Sequence, residues 1–447
     1  MALGPDGAVL GAPGHALVRR PVRLLSADWV VPVEGRPVEH GSVAIGDDGR
    51  ITAVGPADEL GAGEHFPDAV ILPGFVNAHS HLEYAAYAGF GDGLPFAPWI
   101  GLHVQRKRRL DRADMETIAR LGALECLRSG ITTVGDASFS GAAATACAEV
   151  GLRAIVYLEV FGEDASALEC FDELRTRVAD AFSDRVQVGI SPHAPYTCTV
   201  ELYEACAGLG LPLATHLSES DAELEYLRTG TGPWEGLAEY LVPPLGRAAI
   251  PALAEAGVLG PNVVAAHCVR VDDTEIALLA ELDVGVAHCP RSNALLGCGV
   301  APLAGLREAG VRLAIATDSP ASTPSFDMFD ELRTAVMAAR ARERRPDALL
   351  AADALELATL GGARVLGLDQ EVGSLAPGKR ADLTVLSLAD SPFLPWEDPV
   401  GATVLGGSAN GIVATLVDGQ ERYRKGGEEW LASTSAARRA RSRMLDA

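Results

Sequence analysis

The sequence predicts an α/β protein: a (β/α)8 TIM-like barrel joined to a small β-sandwich that is built from both chain ends. Between residues 71 and 368, eight short β-rich runs alternate with longer Ala/Leu/Glu segments of helical periodicity. The residues on either side of this region instead show strand-like alternation punctuated by Gly-Asp turns. A third observation is that several of the eight runs end in histidine or aspartate.

These patterns divide the chain into four parts. Residues 16–70 supply the first part of the β-sandwich, and residues 369–425 supply its second part. Residues 71–368 form the barrel, and residues 426–447 form a basic helix of the kind that usually lies solvated on a surface. A doubly wound sheet is the competing fold, but no G-x-G-x-x-G follows the first run.

The eight predicted barrel strands are short and are separated by helical segments. In chain order they are ILPGFVN, GITTVGD, LRAIVYLEV, VQVGIS, LPLAT, VVAAH, VGVAH and RLAIATD. Helices are predicted at METIARLGALECLRSG, VELYEACAGLG, DDTEIALLAELD and PLAGLREAG. Glycine often follows the last turn of these segments, as expected at a helix C-terminus.

Composition restricts the class of partner. The net charge of −23 argues against binding nucleic acid or an anionic membrane through the overall field. Eight cysteines without a C-x-x-C pair indicate free thiols rather than disulfides or a zinc ribbon. The first residues lack the features of a signal peptide, and no apolar run approaches a membrane span. We therefore expect a cytoplasmic protein with a small-molecule partner, and a homodimer is one of the oligomeric states left open.

Five metal-binding side chains end the predicted strands. His79 and His81 follow the first strand one residue apart, so a strand points both to one side. His216, His267 and Asp318 end the fifth, sixth and eighth strands. Because active sites of (β/α)8 barrels lie at the carboxyl ends of the strands, we expect these side chains to meet. Imidazoles with one carboxylate suit a first-row divalent cation that keeps an open position for water.

The surroundings of this set favour one metal ion and an added acid. Glu219 lies three residues after His216, where it could carry a proton between water and a substrate nitrogen. The alternative is a helix-start glutamate favoured by the helix dipole. The only lysines are Lys107, Lys379 and Lys425, and none lies in a predicted barrel strand. A second metal bridged by a modified lysine is therefore not expected.

These motifs resemble the amidohydrolase superfamily, specifically its mononuclear metal-dependent deaminase and chlorohydrolase branch. The resemblance rests on PGFVNAHSH, SPHAPYT, HLSES, AAHC, HCPRSN, IATDSP and GSLAPGKRADLTVL. It implies one Zn²⁺ ion per chain, or alternatively Fe²⁺, held by His79, His81, His216 and Asp318. It also implies that Asp318 accepts a proton from water and that His267 hydrogen-bonds the water or the developing oxyanion. Glu219 would then protonate a ring nitrogen of the substrate.

Substrate contacts are expected at four further residues. The resemblance implies one at His193, in SPHAPYT. His288 ends the seventh strand, where it either contacts substrate or orients its loop. Trp99 lies in the long segment after the first strand, whose apolar edge either covers a flat heterocycle or only seats the segment on the barrel. Glu83 lies in HSHLE, a motif that resembles the one in members near the aminodeoxyfutalosine deaminases.

The nearby arginines leave two alternatives open. Arg106, Arg108 and Arg109 either meet a substrate carboxylate or form a solvated helix face. Cys268 and Cys289 each follow a rim histidine and are expected to be packing residues.

The resemblance implies an aminohydrolase that replaces an exocyclic amino group of an amino-heterocycle by water and releases ammonia. An adenine-type nucleoside such as aminodeoxyfutalosine is the expected substrate. One alternative is a chlorohydrolase acting on triazines, or a guanine- or cytosine-type hydrolase, on the same scaffold. An alternative of another class is a non-catalytic barrel used for assembly. The presence of Glu219 favours deamination, because an acid beside the metal helps to protonate a ring nitrogen.

Overall fold

The computed structural model describes residues 23–234, 237–391, 393 and 396–445, and its strands form two sheets. Residues 16–22 of the predicted first part and 446–447 of the predicted tail lie outside the described residues. In chain order the strands are β1 Arg23–Val30, β2 Val38–Ile45, β3 Ile51–Pro56, β4 Glu64–Pro73, β5 Phe75–Ser80, β6 Ile131–Ser138, β7 Arg153–Val160, β8 Val186–Pro192, β9 Leu213–Leu217, β10 Val263–His267, β11 Gly285–His288, β12 Arg312–Ile315, β13 Leu383–Ser387, β14 Ile412–Val417 and β15 Gln420–Arg424.

Strands β5 to β12 form the predicted eight-stranded parallel barrel. Every residue of β5, β6 and β7 is buried, as expected for parallel strands covered on both faces. The outermost strands of the sheet meet at one seam. There Asn77 Nδ2 donates to Thr317 Oγ1 at 2.7 Å, and the Thr317 amide donates to Asn77 Oδ1 at 2.9 Å. The amide of Asp318 then donates to the carbonyl of His79 at 3.1 Å, which places these two residues side by side.

The second sheet has seven strands in the order β15-β14-β13-β4-β1-β2-β3, so both chain ends contribute to it as predicted. Its strands are linked into one hydrogen-bonded sheet, because β4 pairs with β1 on one side and β13 on the other. The sheet bends on itself around an apolar core that includes Leu25, Val43 and Leu383. The bend brings two turns together: a β-carbon on Gly49 would lie 2.3 Å from the carbonyl oxygen of Asp418.

The predicted first barrel strand is divided between the two sheets. Ile71–Pro73 pairs with β13 of the second sheet, whereas Phe75–Ser80 is the barrel strand. Gly74 separates them, and a β-carbon there would lie 2.1 Å from Thr132. Only glycine therefore allows this close approach, and the barrel begins at Phe75 rather than at residue 71.

Helices connect and cover the strands. In chain order they are α1 Ala57–Leu60, α2 Phe96–Lys107, α3 Arg112–Arg128, α4 Ala142–Val150, α5 Ala167–Arg177, α6 Val200–Ala207, α7 Asp221–Thr229, α8 Ala249–Glu255, α9 Asp273–Glu281, α10 Pro290–Leu295, α11 Leu303–Glu308, α12 Met328–Glu343, α13 Ala351–Glu356, α14 Gly362–Val365, α15 Pro399–Gly401 and α16 Glu429–Leu445. The four predicted helical segments are confirmed as α3, α6, α9 and α11. In the described part of the chain, no helix has the length and apolar character needed to cross a membrane.

The C-terminal helix α16 is packed against the segment that follows β5. The guanidinium of Arg441 donates to the carbonyls of Ala86 and Ala88, and Met444 is fully buried. Arg106 of α2 donates to the carbonyl of Met444 at 2.7 Å. The tail is therefore not merely a solvated helix, because it holds the long segment between β5 and α3 in place.

A buried ion pair joins the barrel to the second sheet. The Arg153 guanidinium, at the start of β7, donates Nε to Asp382 Oδ2 at 2.8 Å and Nη2 to Asp382 Oδ1 at 3.2 Å. Nη2 also donates to Asp418 Oδ1 at 2.6 Å. Since the Asp382 side chain is only 1% exposed, loss of the guanidinium would leave a carboxylate both buried and unpaired.

We expect Arg153→Met to lower the free energy of unfolding by about 3–5 kcal/mol, the cost of breaking a buried ion pair. Urea denaturation followed by circular dichroism measures this change. The matched control is Arg247→Met, because Arg247 pairs with Glu255 on the surface at exposures of 48% and 66%. The control should change stability by less than about 1 kcal/mol. Equal losses in the two variants would contradict the role of Arg153.

Candidate metal centre and active site

The Nε2 atoms of His81 and His216 face each other. His81 Nδ1 donates to the carbonyl of Ala137 at 3.0 Å, and His216 Nδ1 donates to the carbonyl of His193 at 2.7 Å. Burial lowers the pKa of His81 to about 4 and lowers that of His216 as well, so both rings are neutral. Each Nε2 therefore carries a lone pair, and the two Nε2 atoms are only 3.2 Å apart. A cation between them removes this repulsion, because zinc–nitrogen bonds are about 2.0–2.1 Å long.

The other two predicted ligands lie at the same position. Asp318 Oδ1 is 3.5 Å from His81 Nε2 and 3.7 Å from His79 Nε2. The Nε2 atom of His79 is buried and has no hydrogen-bond partner among the described residues. Asp318 Oδ2 is occupied differently, since it accepts hydrogen bonds from the hydroxyls of Ser292 at 2.6 Å and Ser322 at 2.9 Å. These bonds orient the carboxylate so that Oδ1 points to the histidines.

The strand ends that carry these residues have unusual backbone conformations. Ser218, His267, Cys268 and Asp318 have φ angles of 51°, 72°, 47° and 60°, in the left-handed region that non-glycine residues rarely adopt. Such strain persists only where the surrounding structure imposes it, and it is frequent at functional sites. Two of these residues, His267 and Asp318, belong to the site itself. Cys268 and Cys289 are fully buried, consistent with packing.

His267 and Glu219 form a second layer of polar groups beside the ligands. Asn293 Nδ2 donates to His267 Nδ1 at 3.1 Å, which leaves the proton of the neutral ring on Nε2. Burial lowers the pKa of His267 to about 3, so the ring stays neutral. Its Nε2 lies 3.6 Å from Glu219 Oε2. The arrangement provides an N–H donor and a carboxyl group next to the ligand set.

Glu219 is a buried carboxyl group with a raised pKa. Burial, with added repulsion from Asp318 and Glu223, raises the pKa of Glu219 well above its ordinary value. Its backbone position is fixed by Glu223, whose two carboxylate oxygens accept the amide hydrogens of Ser218 at 2.8 Å and Glu219 at 2.7 Å. Sequence reasoning missed Glu223, although its place in the first turn of α7 is a recognisable signal.

Two further buried carboxylates hold the loops of the site. Asp136 Oδ2 accepts the hydroxyl of Ser80 at 2.9 Å and the amide of Leu82 at 2.7 Å, which fixes the turn through His81. Glu331 Oε1 accepts Arg291 Nε at 2.6 Å, which fixes the segment that carries Ser292 and Asn293. Neither Asp136 nor Glu331 was predicted, because both lie in elements distant in sequence from the residues that they hold.

A cavity of about 630 Å³ opens from the predicted ligands to the surface. His81, His216, Glu219, His267 and Asp318 line its inner end. Its walls are largely apolar and aromatic; they include Phe96, Trp99, Ile100, Phe139, Phe161, Tyr196 and Trp234. This volume suits a drug-sized molecule such as a nucleoside.

The structure places two of the four predicted substrate contacts on this cavity. His193 and Trp99 both line it, and Trp99 lies on α2 rather than on an irregular loop. His193 Nδ1 is 2.9 Å from the hydroxyl oxygen of Thr197, and its ring lies 5.0 Å from that of Phe161. The apolar edge of the segment after β5, which includes Phe96, Trp99 and Ile100, thus faces the cavity.

The other two residues lie elsewhere. Glu83 is buried and accepts hydrogen bonds from the Ser138 hydroxyl, the Ser140 amide and the Ala142 amide. His288 is also buried, and its Nδ1 has no partner among the described residues. Neither residue is among those described that line the cavity. The hydrogen bonds of Glu83 favour a loop-positioning role for that residue.

Helix α2 brings other residues to the cavity instead. Arg106 and Arg109 turn to α16, where both donate to the carbonyl of Met444, while Lys107 and His103 line the cavity. Arg108 also lines the cavity, and its guanidinium pairs with Glu239 at 3.0 Å. Both ring nitrogens of His103 are buried without a hydrogen-bond partner in the described part of the chain. The signal that could have found these residues is helical spacing, since positions 103 and 107 are one turn apart.

Comparison with known proteins identifies the family of the chain. A model described as the amidohydrolase family matches residues 70–422, which span the barrel and the C-terminal strands of the second sheet. The chain belongs to the amidohydrolase family.

Relatives of this amidohydrolase match nearly its whole length. It is 37% identical to the 5-methylthioadenosine/S-adenosylhomocysteine deaminase of Moorella thermoacetica over 88% of the chain and 91% of that protein. It is 35% identical to the 5′-deoxyadenosine deaminase of Methanothermobacter thermautotrophicus over 87% of the chain and 90% of that protein. A zinc-bound adenosine deaminase from Xanthomonas campestris is similar in structure, with a TM-score of 0.84 and 28% identity over 94% of the chain and 98% of that protein.

The site in this amidohydrolase is that of a divalent metal ion. His79, His81 and Asp318 offer ligand atoms that all lie within 4.8 Å of one another, and His216 Nε2 lies 3.2 Å from His81 Nε2. The facing lone pairs of His81 and His216 and the unpartnered Nε2 of His79 fit a bound cation. The imidazole and carboxylate donors suit a borderline first-row metal.

We expect Asp318→Ala to lose metal during dialysis against buffer without metal, because it removes the one carboxylate of the predicted ligand set. The metal-to-protein ratio, measured by plasma mass spectrometry, should fall well below that of the wild type, and turnover should fall with it. Asp172→Ala, on the exposed face of α5, is the matched control. Unchanged metal content in Asp318→Ala would contradict the assignment of Asp318 as a ligand.

Proposed function

We propose that this amidohydrolase deaminates an adenine-type nucleoside, replacing the exocyclic amino group of the purine with water and releasing ammonia. The observation that carries the proposal is the position of Glu219, a buried carboxyl group whose Oε2 lies 3.6 Å from His267 Nε2 at the inner end of the cavity and whose pKa is raised by burial. Hydrolysis of a carbon–nitrogen bond in a cyclic amidine requires such an acid, because the leaving amine and the ring nitrogen both take up protons.

The metal ligands in the proposal are His79, His81, His216 and Asp318, and the proposed ion is zinc. The relative of known structure has bound zinc, which supports this choice over iron. When bound, the cation supplies Lewis-acid chemistry, which lowers the pKa of water to near neutrality.

The remaining chemistry belongs to three side chains. Asp318 Oδ1 faces the ligands while Oδ2 is bonded to two serine hydroxyls, so Oδ1 accepts the proton that water loses. The Nε2–H of His267 stabilises the negative charge that develops on the attacking oxygen. Glu219 donates its proton to the ring nitrogen next to the reacting carbon. The proton that Asp318 took from water passes to the leaving amine, which departs as ammonia, while the Glu219 carboxylate takes up the proton of the new hydroxyl group.

The nucleoside class follows from the relatives and the cavity. The relatives' names describe deaminases of 5-methylthioadenosine, S-adenosylhomocysteine and 5′-deoxyadenosine, which share adenine and differ at the 5′ position. A cavity of about 630 Å³ holds adenine, ribose and a 5′ substituent. Aminodeoxyfutalosine is the leading single compound, because HSHLE and FAPWI are similar to segments of the aminodeoxyfutalosine deaminases.

Other hydrolases on this scaffold are the alternatives. A chlorohydrolase acting on triazines, or a deaminase of guanine or cytosine, would use the same metal ligands. A carboxyl group at the position of Glu219 favours deamination over chloride displacement, because an amine must take up a proton to leave whereas chloride leaves without one. A non-catalytic assembly protein is disfavoured, since the structure brings the predicted ligands and the acid together.

We expect Glu219→Gln to retain its metal but to lose turnover by a factor of about 10²–10⁴, the usual contribution of a general acid. The amide keeps the size of the side chain but has no proton to give at neutral pH. Steady-state ammonia release and metal content are both measured. Glu173→Gln, on the exposed face of α5, is the control. Activity near that of the wild type would exclude Glu219 from the mechanism.

A substrate panel tests the proposed class directly. We expect ammonia release from adenosine, 5′-deoxyadenosine, 5-methylthioadenosine, S-adenosylhomocysteine or aminodeoxyfutalosine, with a kcat/KM of about 10⁴ M⁻¹s⁻¹ or more for the best of them. Guanine and cytosine test the other deaminases, and chloride release from a chlorotriazine tests the chlorohydrolase. Turnover confined to those last three compounds would overturn the proposed class.

A further inference from the structure

His267 lies close enough to other donor groups to bind a metal ion itself. It forms one group with His79 and His216 and another with Glu219 and Asp318. In each group, the potential ligand atoms lie within 4.8 Å of one another. The second group shares only Asp318 with the proposed zinc ligands, and its imidazole and carboxylate donors suit a divalent cation. Distance alone would therefore allow a centre with two ions.

The proton on the His267 ring decides whether it can act as a ligand. Burial lowers the pKa of His267, so the ring is neutral and has one N–H and one nitrogen lone pair. Its Nδ1 faces Asn293 Nδ2 at 3.1 Å, and its Nε2 faces Glu219 Oε2 at 3.6 Å. Because the amide nitrogen only donates, Nδ1 accepts and the proton lies on Nε2. A protonated Nε2 donates a hydrogen bond but does not coordinate a cation.

Asn293 is held firmly in the orientation that imposes this proton position. It is fully buried, and its backbone amide donates to the carbonyl of Cys289 at 3.0 Å. Its own carbonyl accepts the amides of Cys298 at 2.9 Å and Gly299 at 3.3 Å. The side-chain Oδ1 is buried without a hydrogen-bond partner among the described residues. An unpaired buried oxygen is costly and rare, so the fold keeps the Nδ2 contact with His267 in spite of that cost.

We propose that Asn293 is a positioning residue that keeps the centre mononuclear, because its side-chain N–H fixes the proton of His267 on Nε2 and so closes a second cation site formed by Glu219, His267 and Asp318. A cation at this second site would coordinate the carboxylate of Glu219 and remove the acid from the proposed reaction. The effect on turnover rests on the proposed function, whereas the proton position and the number of bound ions do not.

Asn293→Asp reverses the hydrogen bond without changing the size of the side chain. A carboxylate accepts and does not donate, so the proton of His267 moves to Nδ1 and Nε2 gains a lone pair. A carboxylate that accepts the other ring N–H is the usual partner of a metal-binding histidine. The substitution therefore converts His267 from a hydrogen-bond donor into a metal ligand beside Glu219 and Asp318.

The first measurement locates the proton on His267 in metal-free protein. The protein is labelled with ¹⁵N-histidine and studied by long-range ¹H–¹⁵N NMR, which distinguishes the two ring nitrogens. The chain has ten histidines, so His267→Gln identifies the resonances of this ring. We expect the proton on Nε2 in the wild type and on Nδ1 in Asn293→Asp. A wild-type proton on Nδ1 would overturn the proposal.

The second measurement counts the zinc ions bound per chain after equilibrium dialysis against zinc, by plasma mass spectrometry. We expect one ion in the wild type and two in Asn293→Asp. Combining Asn293→Asp with Glu219→Gln should restore one ion, because it removes a carboxylate of the second site. Asn262→Asp is the matched control and should bind one, since Asn262 is exposed before β10 and donates to the carbonyl of Leu211. A single ion in Asn293→Asp, or two in the wild type, would contradict the proposal.

Turnover separates this proposal from the proposed function. We expect Asn293→Asp to lower kcat by a factor of about 10²–10³, as loss of a hydrogen-bond donor to a developing oxyanion does. If no adenine nucleoside is turned over by the wild type, the proposed function fails, and the proton position and zinc count still decide the role of Asn293. If Asn293→Asp does not fold, as judged by circular dichroism, Asn293→Leu replaces it. That variant removes the N–H, so the proton should populate both ring nitrogens; a proton that stays on Nε2 alone would overturn the proposal.

Discussion

The structure depends on two neutral imidazoles whose lone pairs face each other at 3.2 Å. Each ring is held in this orientation by a hydrogen bond from Nδ1 to a backbone carbonyl, so neither can turn away. Without a cation the two lone pairs repel each other. With a cation between them, the two Nε2 atoms become metal ligands. Other features place the ligands around this pair of nitrogens. They are the left-handed backbone after the strands, the serine hydroxyls that donate to Asp318 and the buried carboxyl groups that hold the loops.

The two sheets and the C-terminal helix make this placement rigid. Asn77 and Thr317 close the barrel next to His79 and Asp318, so the first and last strands deliver their ligands together. The second sheet is tied to the opposite end of the barrel through Arg153 and Asp382. Helix α16 holds the segment after β5, which carries both the apolar cavity wall and Lys107. The wall of the cavity thus depends on an element that is remote in sequence from the predicted metal ligands.

Periodicity was sufficient to predict the barrel, its eight strands and the contribution of both chain ends to the second sheet. The convergence of His79, His81, His216 and Asp318 followed from the rule that strand ends share one rim. What sequence could not give was the direction of side chains outside the strands. Glu83 turned inward to hydrogen-bond donors of Ser138, Ser140 and Ala142. Arg106 and Arg109 turned to α16. These outcomes depend on tertiary packing, which leaves no periodic signal in the chain.

The most direct test of the account is a crystal structure grown with zinc, with diffraction data collected on both sides of the zinc absorption edge. The account predicts one anomalous peak per chain, between the Nε2 atoms of His81 and His216 and within bonding distance of His79 and Asp318. The absence of a peak there in fully loaded protein, or an ion bound by other residues, would contradict it.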